Sequence, residues 1–392
     1  MNNLVLSLVV AAALATRALA ATPIKPVTVG QLMQLLSQSR GEKDAKVARQ
    51  LSTLVLTQRI SPARLEQWYA QFPGDRTRQA LTELADASAF LDLPASEILS
   101  QAAPDGNALV LMLRRSVNYV NQTTHRLPDF YAARTTTHFE DALAQWADHQ
   151  LFCKIPAYQS MCRSQVRAAS AAQALGGTPL TYSGKSKTTV TFREGKEVLS
   201  TEKKKAASPS NPDAGLVTSG EFGPILIVVL GDALQGEITW GHWEQDDAGT
   251  LAVLEYNVPE AISHYVVGFP TAHGHQETNP AYHGEIAIDP VTGAIHRITV
   301  VSKVDPPNPT VRTAMMVQYG PVAIGGRTYI CPVKGVAISK MPIPSSSPAG
   351  PSFVQTRLND INFTRYHLFR AQVKILSDRG PVAEAAAPQN SR

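Results

Sequence analysis

The chain contains 392 residues, of which 44% are hydrophobic and 17% are charged, and this composition excludes a largely disordered protein. At this length the chain can bury a large core and form two domains. Its formal net charge of +4 is too small to indicate a nucleic-acid-binding surface, so we expect no nucleic-acid partner.

Residues 1–20 have the features of a signal peptide. An apolar run extends from Leu4 to Leu14, and Ala18-Leu19-Ala20 is the small-x-small pattern that precedes a cleavage site. The alternative is a membrane anchor, but the run is shorter than the roughly 20 apolar residues that a spanning helix needs. We therefore predict an exported protein, periplasmic or extracellular, without a transmembrane segment in the mature chain.

Residues 21–126 are predicted to form a helical domain. Thr28, Ser61 and Asp105 are suitable N-cap residues, and Pro62 suits the first position of a helix. Apolar residues follow at helical spacing, as in the two stripes Val47, Leu51, Leu54, Val55 and Leu65, Trp68, Tyr69, Phe72. Short connections between the helices favour a bundle, and its apolar stripes are interpreted as core rather than as a cofactor site.

Residues 127–376 are predicted to form an antiparallel β domain, because aromatic and β-branched residues replace the helix formers. A polar linker lies near residues 200–219, residues 140–178 have no clear pattern, and residues 377–392 are a predicted disordered tail. The predicted strands lie at residues 130–139, in a hairpin around 193–196, within 237–304, and at 312–319, 328–339 and 358–376, with Gly320-Pro321 and Gly325-Gly326 joining two of them.

Two-residue alternation is strongest between residues 237 and 304. In the first strand of this stretch, one face is expected to carry Ile238, Trp240 and His242, and the other Thr239, Gly241 and Trp243. The segment DPVTG at residues 289–293 predicts a hairpin, since Pro presets φ and Gly closes the turn. No helical pattern separates these strands, so an antiparallel meander is expected instead of βαβ units.

The apolar run GPILIVVLGDAL is ambiguous between a buried strand and a helix. Pro224 suits a first helical turn and Gly236 suits the position after the last turn, so we predict a helix that packs on the sheet. The predicted fold class is α+β: an N-terminal helical bundle followed by a large curved antiparallel sheet, an open half-barrel, with a helix packed on it.

The sequence contains no phosphate-binding loop, nucleophile elbow, HExxH or CxxC motif, so no catalytic residue and no cofactor is predicted. Four histidines are candidate metal ligands, namely His264, His273, His275 and His283. The alternative is that they are surface histidines of a polar loop. Cys153 and Cys162 could close a short disulfide loop, which their spacing leaves open, and Cys331 is expected to be a buried thiol.

An aromatic set provides the candidate ligand-binding residues, which are Trp240, Trp243, Tyr256, Tyr265 and Phe269. On one interpretation these side chains form the sheet core and contact a covering helix. On the other, they line the wall of an apolar cavity, because ligand pockets are concave and mainly apolar.

The order of the elements resembles the periplasmic lipoprotein-carrier fold, which also occurs in the sensing domain of envelope-stress regulators. The likeness covers about residues 107–376 and uses LPDF, FYAARTTTHF, FREGKEV, the mid-chain helix and LNDINFTRYHLF. Through EFGPIL, HWE, YHGEIAIDP and YICPV the chain also resembles a family of exported bacterial proteins without an assigned function. The first resemblance implies a curved sheet around an apolar ligand.

We therefore expect a non-catalytic exported protein that binds a lipid or acyl chain in the concave face of the sheet, with the mid-chain helix as its cover. The alternative is an envelope protein–protein interaction module that uses the helical domain and a sheet edge. A metal-dependent secreted hydrolase is a third hypothesis, and it requires a site assembled from residues that are distant in sequence.

Overall fold

A computed structural model describes residues 25–141, 180–200, 216–246, 249–271, 274–304, 311–343 and 353–369. Within these ranges the chain forms six α-helices and a ten-stranded antiparallel sheet that is not closed into a barrel. The predicted combination of helices with one large antiparallel sheet is confirmed. The predicted signal peptide, the segment before the second strand of the β domain, most of the polar linker and the C-terminal tail lie outside the described residues.

The N-terminal elements form one unit with its own core. Its helices are α1 (Val29–Gln38), α2 (Asp44–Leu51), α3 (Pro62–Gln71) and α4 (Asp75–Ala87), and its strands are β1 (Lys25–Val27) and β2 (Leu54–Leu56). Thr28 caps α1 as predicted, in a capping box with Gln31. We call residues 25–92 the helical unit.

One stripe of the predicted helical domain is wrong in its second half. The helix that carries Val47 ends at Leu51, and residues 54–56 form β2, which pairs in parallel with β1. The strand depends on a partner 29 residues earlier in the chain, Lys25 opposite Leu54, which helical spacing does not reveal.

The fifth helix, α5 (Gly106–Arg126), begins at the predicted cap Asp105 but packs outside the helical unit. It lies against the sheet beside α6 (Pro224–Gln235), which confirms the helix predicted for the ambiguous apolar run. Gly236 follows α6 with a φ of −88°, so it is not a left-handed cap. An added Cβ at Gly236 would clash with the carbonyl oxygen of Asn257, so the close approach of that strand explains the glycine.

The strands of the β domain are β3 (Phe130–Asp141), β4 (Leu180–Arg193), β5 (Lys196–Ser200), β6 (Glu237–Asp246), β7 (Gly249–Val258), β8 (Val267–Thr271), β9 (Gly274–Thr278), β10 (Tyr282–Ile288), β11 (Ile295–Val304), β12 (Val311–Ile324), β13 (Arg327–Ile343) and β14 (Phe353–Leu368). Their order in the sheet is β5-β4-β3-β14-β13-β12-β11-β10-β7-β6. All neighbours are antiparallel, as the short turns predict.

Two details of the predicted strands change. Strands β8 and β9 pair only with each other, in a separate two-stranded sheet, so this part of the central stretch leaves the meander. Strand β12 continues through Gly320-Pro321, with a register shift after Gln318, and turns only at Gly325-Gly326. The hairpin predicted at residues 289–293 is confirmed, and Gly293 has a φ of +77°.

A β-bulge at Gly241 changes the predicted alternation of β6. Trp240 and His242 pair with adjacent residues of β7, because the register shifts between them. Trp240 and Trp243 therefore lie on the same face, with ring centroids 4.8 Å apart. His242 moves to the other face, where it joins Glu244. The prediction that His242 shares a face with Trp240, opposite Trp243, is wrong.

Both faces of the sheet are covered over part of their area. Helices α5 and α6 cover what we call the helix face, and the core there includes Met112, Val120, Leu226, Val229, Leu254, Tyr256, Ile286 and Ile298. The helical unit lies on the other side, which we call the cleft face. Its apolar contact there is small and consists of Ala89 and Phe90 against Met316, Val336 and Ile338. No helix in the described part of the chain combines the length and apolar character needed to cross a bilayer.

Candidate functional site

A cleft of about 430 Å³ opens to solvent between the helical unit and the cleft face of the sheet. Its volume falls in the range of small-molecule sites, which often lie between two structural units. Ala89, Phe90, Leu91 and Asp92, which follow α4, form one wall, and strands β6, β7, β10 and β11 form the other.

The lining of the cleft is strongly acidic. It contains the carboxylates of Asp92, Glu237, Glu255 and Glu285, and among the described lining residues no lysine or arginine. Glu255 and Glu285 lie directly opposite each other on β7 and β10. Like charges at opposed positions destabilise a sheet. Arg297 at 3.2 Å and Arg59 at 3.8 Å compensate the charge of Glu285, whereas the exposed Glu255 has no ion pair within the described residues. The cleft therefore favours positively charged ligands.

Polar uncharged groups complete the sheet side of the cleft. Thr239 on β6 lies opposite Glu255, and His283 on β10 lies opposite Asn257. All four side chains are exposed, so they are accessible from the cleft. The cleft thus combines carboxylates with groups that donate or accept hydrogen bonds and can orient a ligand.

The floor of the cleft is a break in the ladder between β10 and β11. The backbone N–H of Glu285 donates to the hydroxyl of Thr299 at 2.8 Å, and the Tyr256 hydroxyl donates to the Thr299 carbonyl at 2.6 Å. Gly284 precedes Glu285 on β10, and an added Cβ at Gly284 would clash with the carbonyl oxygen of Thr299. The glycine thus allows β11 to approach closely where the side chain of Thr299 replaces a backbone acceptor.

A buried ion-pair network lies beside the cleft. Arg297 donates to both carboxylate oxygens of Glu244, at 2.8 and 2.7 Å, and to Glu285 at 3.2 Å. Arg59, from the helical unit, donates to Glu244 at 3.1 Å and lies 3.8 Å from Glu285. Burial alone would raise the pKa of Glu244, but the His242 ring 3.6 Å away, the hydrogen bonds from Arg297 and the charges of both arginines hold this pKa far below its ordinary value.

The five predicted ligand-binding aromatic residues do not come together in one cavity. Only Tyr256 is among the residues that line the cleft. Trp243 is buried and donates its indole N–H to the carbonyl of Ala102, with Trp240 against its ring. Phe269 is buried in a separate cluster beside β8, against which Tyr265 also packs.

The helix face is closely filled by α5 and α6. The cavity found there has a volume of only about 10 Å³ and lies between Tyr119, Leu226 and Tyr319, among other residues. This is about the volume needed for one water molecule, so this cavity is too small for an acyl chain.

The candidate metal ligands within the described residues lie on different elements of the fold. The exposed ring of His264 donates its Nδ1–H to the buried carboxylate of Asp232 at 2.6 Å, and this carboxylate also accepts from the Tyr282 hydroxyl. His283 lies on β10 at the cleft, His275 lies on β9, and His273 is outside the described residues. In the described part of the chain, no group of three or more His, Cys, Asp or Glu side chains has an arrangement that could hold a metal ion.

Cys331 is fully buried, as expected, and burial raises the pKa of its thiol to about 12. Thiolate chemistry is therefore suppressed at this position. Cys153 and Cys162 lie outside the described residues, and their pairing stays a prediction.

Most of the acidic cleft was missed by sequence reasoning. The carboxylates are distant along the chain, from residue 92 to residue 285, and only the register of four strands brings them together. A signal did exist, since Glu237, Glu255 and Glu285 each occupy a polar position of an alternating strand. On the basis of alternation alone, such residues are predicted to form a solvent-exposed face.

Comparisons with family models, curated proteins and solved structures found no match for this chain. The resemblances to the lipoprotein-carrier fold and to the exported bacterial family therefore stay predictions. Fold and site define the molecule as an α+β protein with an acidic cleft between a helical unit and an open antiparallel sheet.

Proposed function

We propose that this protein is an exported, non-catalytic binding protein whose cleft holds a small organic cation, such as a primary amine or diamine. The observation that carries this proposal is the exposed carboxylate of Glu255, which lies opposite Glu285 in a cleft of about 430 Å³ that Asp92 and Glu237 also line. A ligand ammonium group above the sheet beside Glu255 supplies this carboxylate with a counter-charge and gains charge-assisted hydrogen bonds.

The remaining lining groups support the recognition of an elongated cation. Glu237 and Asp92 extend the negative potential away from the central pair, so a second ammonium group also finds a counter-charge. Phe90 and Leu91 provide apolar surface for the methylene groups between two such charges. The cleft is open to water, so salt is expected to weaken binding.

The expected apolar ligand on the concave face, with a half-barrel sheet as its container, is a second proposal. It gains support from Ile227 and Leu234, which α6 exposes at 52% and 48% of their surface. Exposed apolar side chains give α6 a second apolar surface, which a ligand can contact when the helix moves. This proposal requires α6 to move away from the sheet, because the cavity beside its first turn has a volume of only about 10 Å³.

The interaction-module hypothesis also has one supporting observation. Helix α5 exposes two neighbouring apolar side chains, Val110 and Leu111, at 49% and 48% of their surface. A partner protein that covers these residues would gain apolar burial. Crosslinking in cells distinguishes this hypothesis, since it predicts a defined partner whose recovery depends on these two side chains.

The cation proposal is tested by isothermal titration calorimetry of the purified chain with 1,4-diaminobutane, butylamine and butanoate. We expect binding of the diamine, weaker binding of the monoamine and none of the anion. Glu255→Gln removes one charge of the central pair and should weaken diamine binding about fivefold to tenfold. The matched control is Glu260→Gln, an exposed glutamate outside the cleft, which should leave the affinity unchanged.

Two results would contradict the proposal. One is no heat with either amine at low salt, where the charges of the cleft act most strongly. The other is equal affinity in the Glu255→Gln and Glu260→Gln variants, since that would place any bound amine elsewhere on the surface.

A further inference from the structure

In the described part of the chain, the helical unit contacts the sheet through ion pairs and a small apolar cluster. Apart from the small apolar contact of Ala89 and Phe90, two groups of ion pairs connect them. Arg59 reaches Glu244 and Glu285 at one of these groups, beside the cleft. Relative motion is the usual behaviour of units whose shared interface is small and polar.

The second group of ion pairs lies under α4. Asp86 is 2.6 Å from the ammonium group of Lys334 on β13, and Asp360 of β14 lies 3.4 Å from the same nitrogen. Asp86 is buried, and burial raises its pKa to about 7 although Lys334 opposes this shift. Buried charges regain hydration when an interface opens, so ion pairs oppose separation less than an apolar contact of equal area does.

The hydrophobic core of the helical unit contains no residue of the ten-stranded sheet. Its buried cluster is built only from its own residues, among them Leu32, Leu51, Trp68 and Leu81. Separation from the sheet would therefore leave the hydrophobic core of the unit intact.

The connection between the two units has one evident pivot. Glu97 pairs with Arg64 of α3, which holds the chain to the helical unit up to that residue. Leu99 donates its backbone N–H to the carbonyl of Trp243 on β6, which holds the following chain to the sheet. Only Ile98 lies between these two attachments, so rotation there changes the position of one unit relative to the other.

We propose that the helical unit is a hinged lid over the cleft, which pivots about Ile98 and admits the ligand by separating from the sheet at the Arg59 and Asp86 ion pairs. The wall formed by residues 89–92 moves with the lid, so opening widens the cleft. This inference rests on the proposed function of the cleft for its purpose. The motion itself is measurable without any ligand.

The test is a distance distribution by pulsed electron spin resonance on the full chain. Spin labels replace Glu66 on α3 and Lys187 on β4, which are both exposed, in a background with the three cysteines changed to alanine. The double variant Arg59→Met with Lys334→Met removes the cation of each ion-pair group. Glu244 and Glu285 keep Arg297 as their partner, so Arg59→Met leaves neither of these carboxylates without a cation.

We expect one dominant short distance in the parent chain and a rise of at least about fivefold in the longer-distance population of the double variant. The charge-retaining control, Arg59→Lys with Lys334→Arg, should resemble the parent. Adding 1,4-diaminobutane should shift the distance distributions of the parent and of this control towards the short distance. Circular dichroism and the cooperativity of melting establish that each variant is folded.

An identical distance distribution in the folded double variant and in the parent would overturn the lid. If the variant does not fold, the parent chain still decides, because a lid predicts a longer-distance population that the diamine depletes. Diamine binding without any change of distance rejects the lid and keeps the proposed function. A change of distance in the double variant without diamine binding keeps the lid and rejects the cation ligand.

Discussion

Arg297 and Glu244 form a bidentate ion pair on the cleft face, with both guanidinium Nη atoms within 2.8 Å of a carboxylate oxygen. The pair depends on the bulge at Gly241, because without it Glu244 would point to the helix face. Both side chains are almost fully buried, at 5% and 2% exposure. Arg297 thereby holds the Glu244 carboxylate in position to pair with Arg59 of the helical unit.

The first prediction concerns this pair. Glu244→Gln leaves Arg59 and Arg297 buried beside a neutral amide, so we expect the free energy of unfolding to fall by about 3–5 kcal/mol. Urea denaturation measures it. Glu42→Gln, which removes the exposed pair with Lys46 on the surface of the helical unit, should change stability little. Similar losses in both variants would show that the buried network is not a principal source of stability.

The second prediction concerns pH. Burial, and then the charge of Asp86, raises the pKa of Glu83 from 4.5 to about 8, and burial with Glu221 raises that of Glu197 to about 7. The folded chain holds these protons more tightly than the unfolded chain. The stability they confer is complete below pH 4.5 and is lost as the pH rises through 7 and 8.

Melting temperatures between pH 5 and pH 9 should therefore decline towards the alkaline end. Glu83→Gln mimics the protonated carboxyl group, so its decline near pH 8 should be smaller than that of the parent. At strongly acidic pH the opposite limb is expected, because protonation of Glu244 breaks its ion pairs. A melting temperature that rises steadily from pH 5 to pH 9 would contradict the burial of these carboxyl groups.

The third prediction compares two glycines, one inside α6 and one just after its end. An added Cβ at Gly231 would meet open space, so Gly231→Ala should stabilise the protein by about 0.5–1 kcal/mol. Gly236→Ala introduces a clash with the Asn257 carbonyl and should destabilise it by about 1–3 kcal/mol. Thermal and urea unfolding measure both. A change of stability in the same direction for both substitutions would contradict the close packing of α6 on β7.

The fourth prediction concerns Asp232, which fastens the end of α6. Its carboxylate accepts from the His264 backbone N–H at 2.7 Å and from the Tyr282 hydroxyl at 2.8 Å, besides its contact with the His264 ring. In Asp232→Asn an amide N–H₂ replaces one acceptor and faces a donor, which should cost about 1–3 kcal/mol. Tyr282→Phe removes one bond and should cost less. Urea unfolding of the parent and of the two variants measures which substitution lowers the free energy of unfolding more.

Local patterns predicted the elements well where local chemistry determines them. The cap at Thr28, the turn before Gly293 and the helix after Pro224 all depend on neighbours within a few residues. The strand β2 and the pairing of β8 with β9 were missed because they depend on partners chosen in three dimensions. The candidate site was missed for the same reason, since strand register and the docking of residues 89–92 assemble it.

The sequence by itself determined the class of elements, their order and their turns, because side-chain periodicity, caps and glycines act over short distances. Tertiary structure decided which face each residue occupies. One bulge at Gly241 moved Glu244 to the cleft face, and strand register set Glu255 opposite Glu285. A shift of a single residue reverses the face of every side chain that follows, and no local pattern records where that shift occurs.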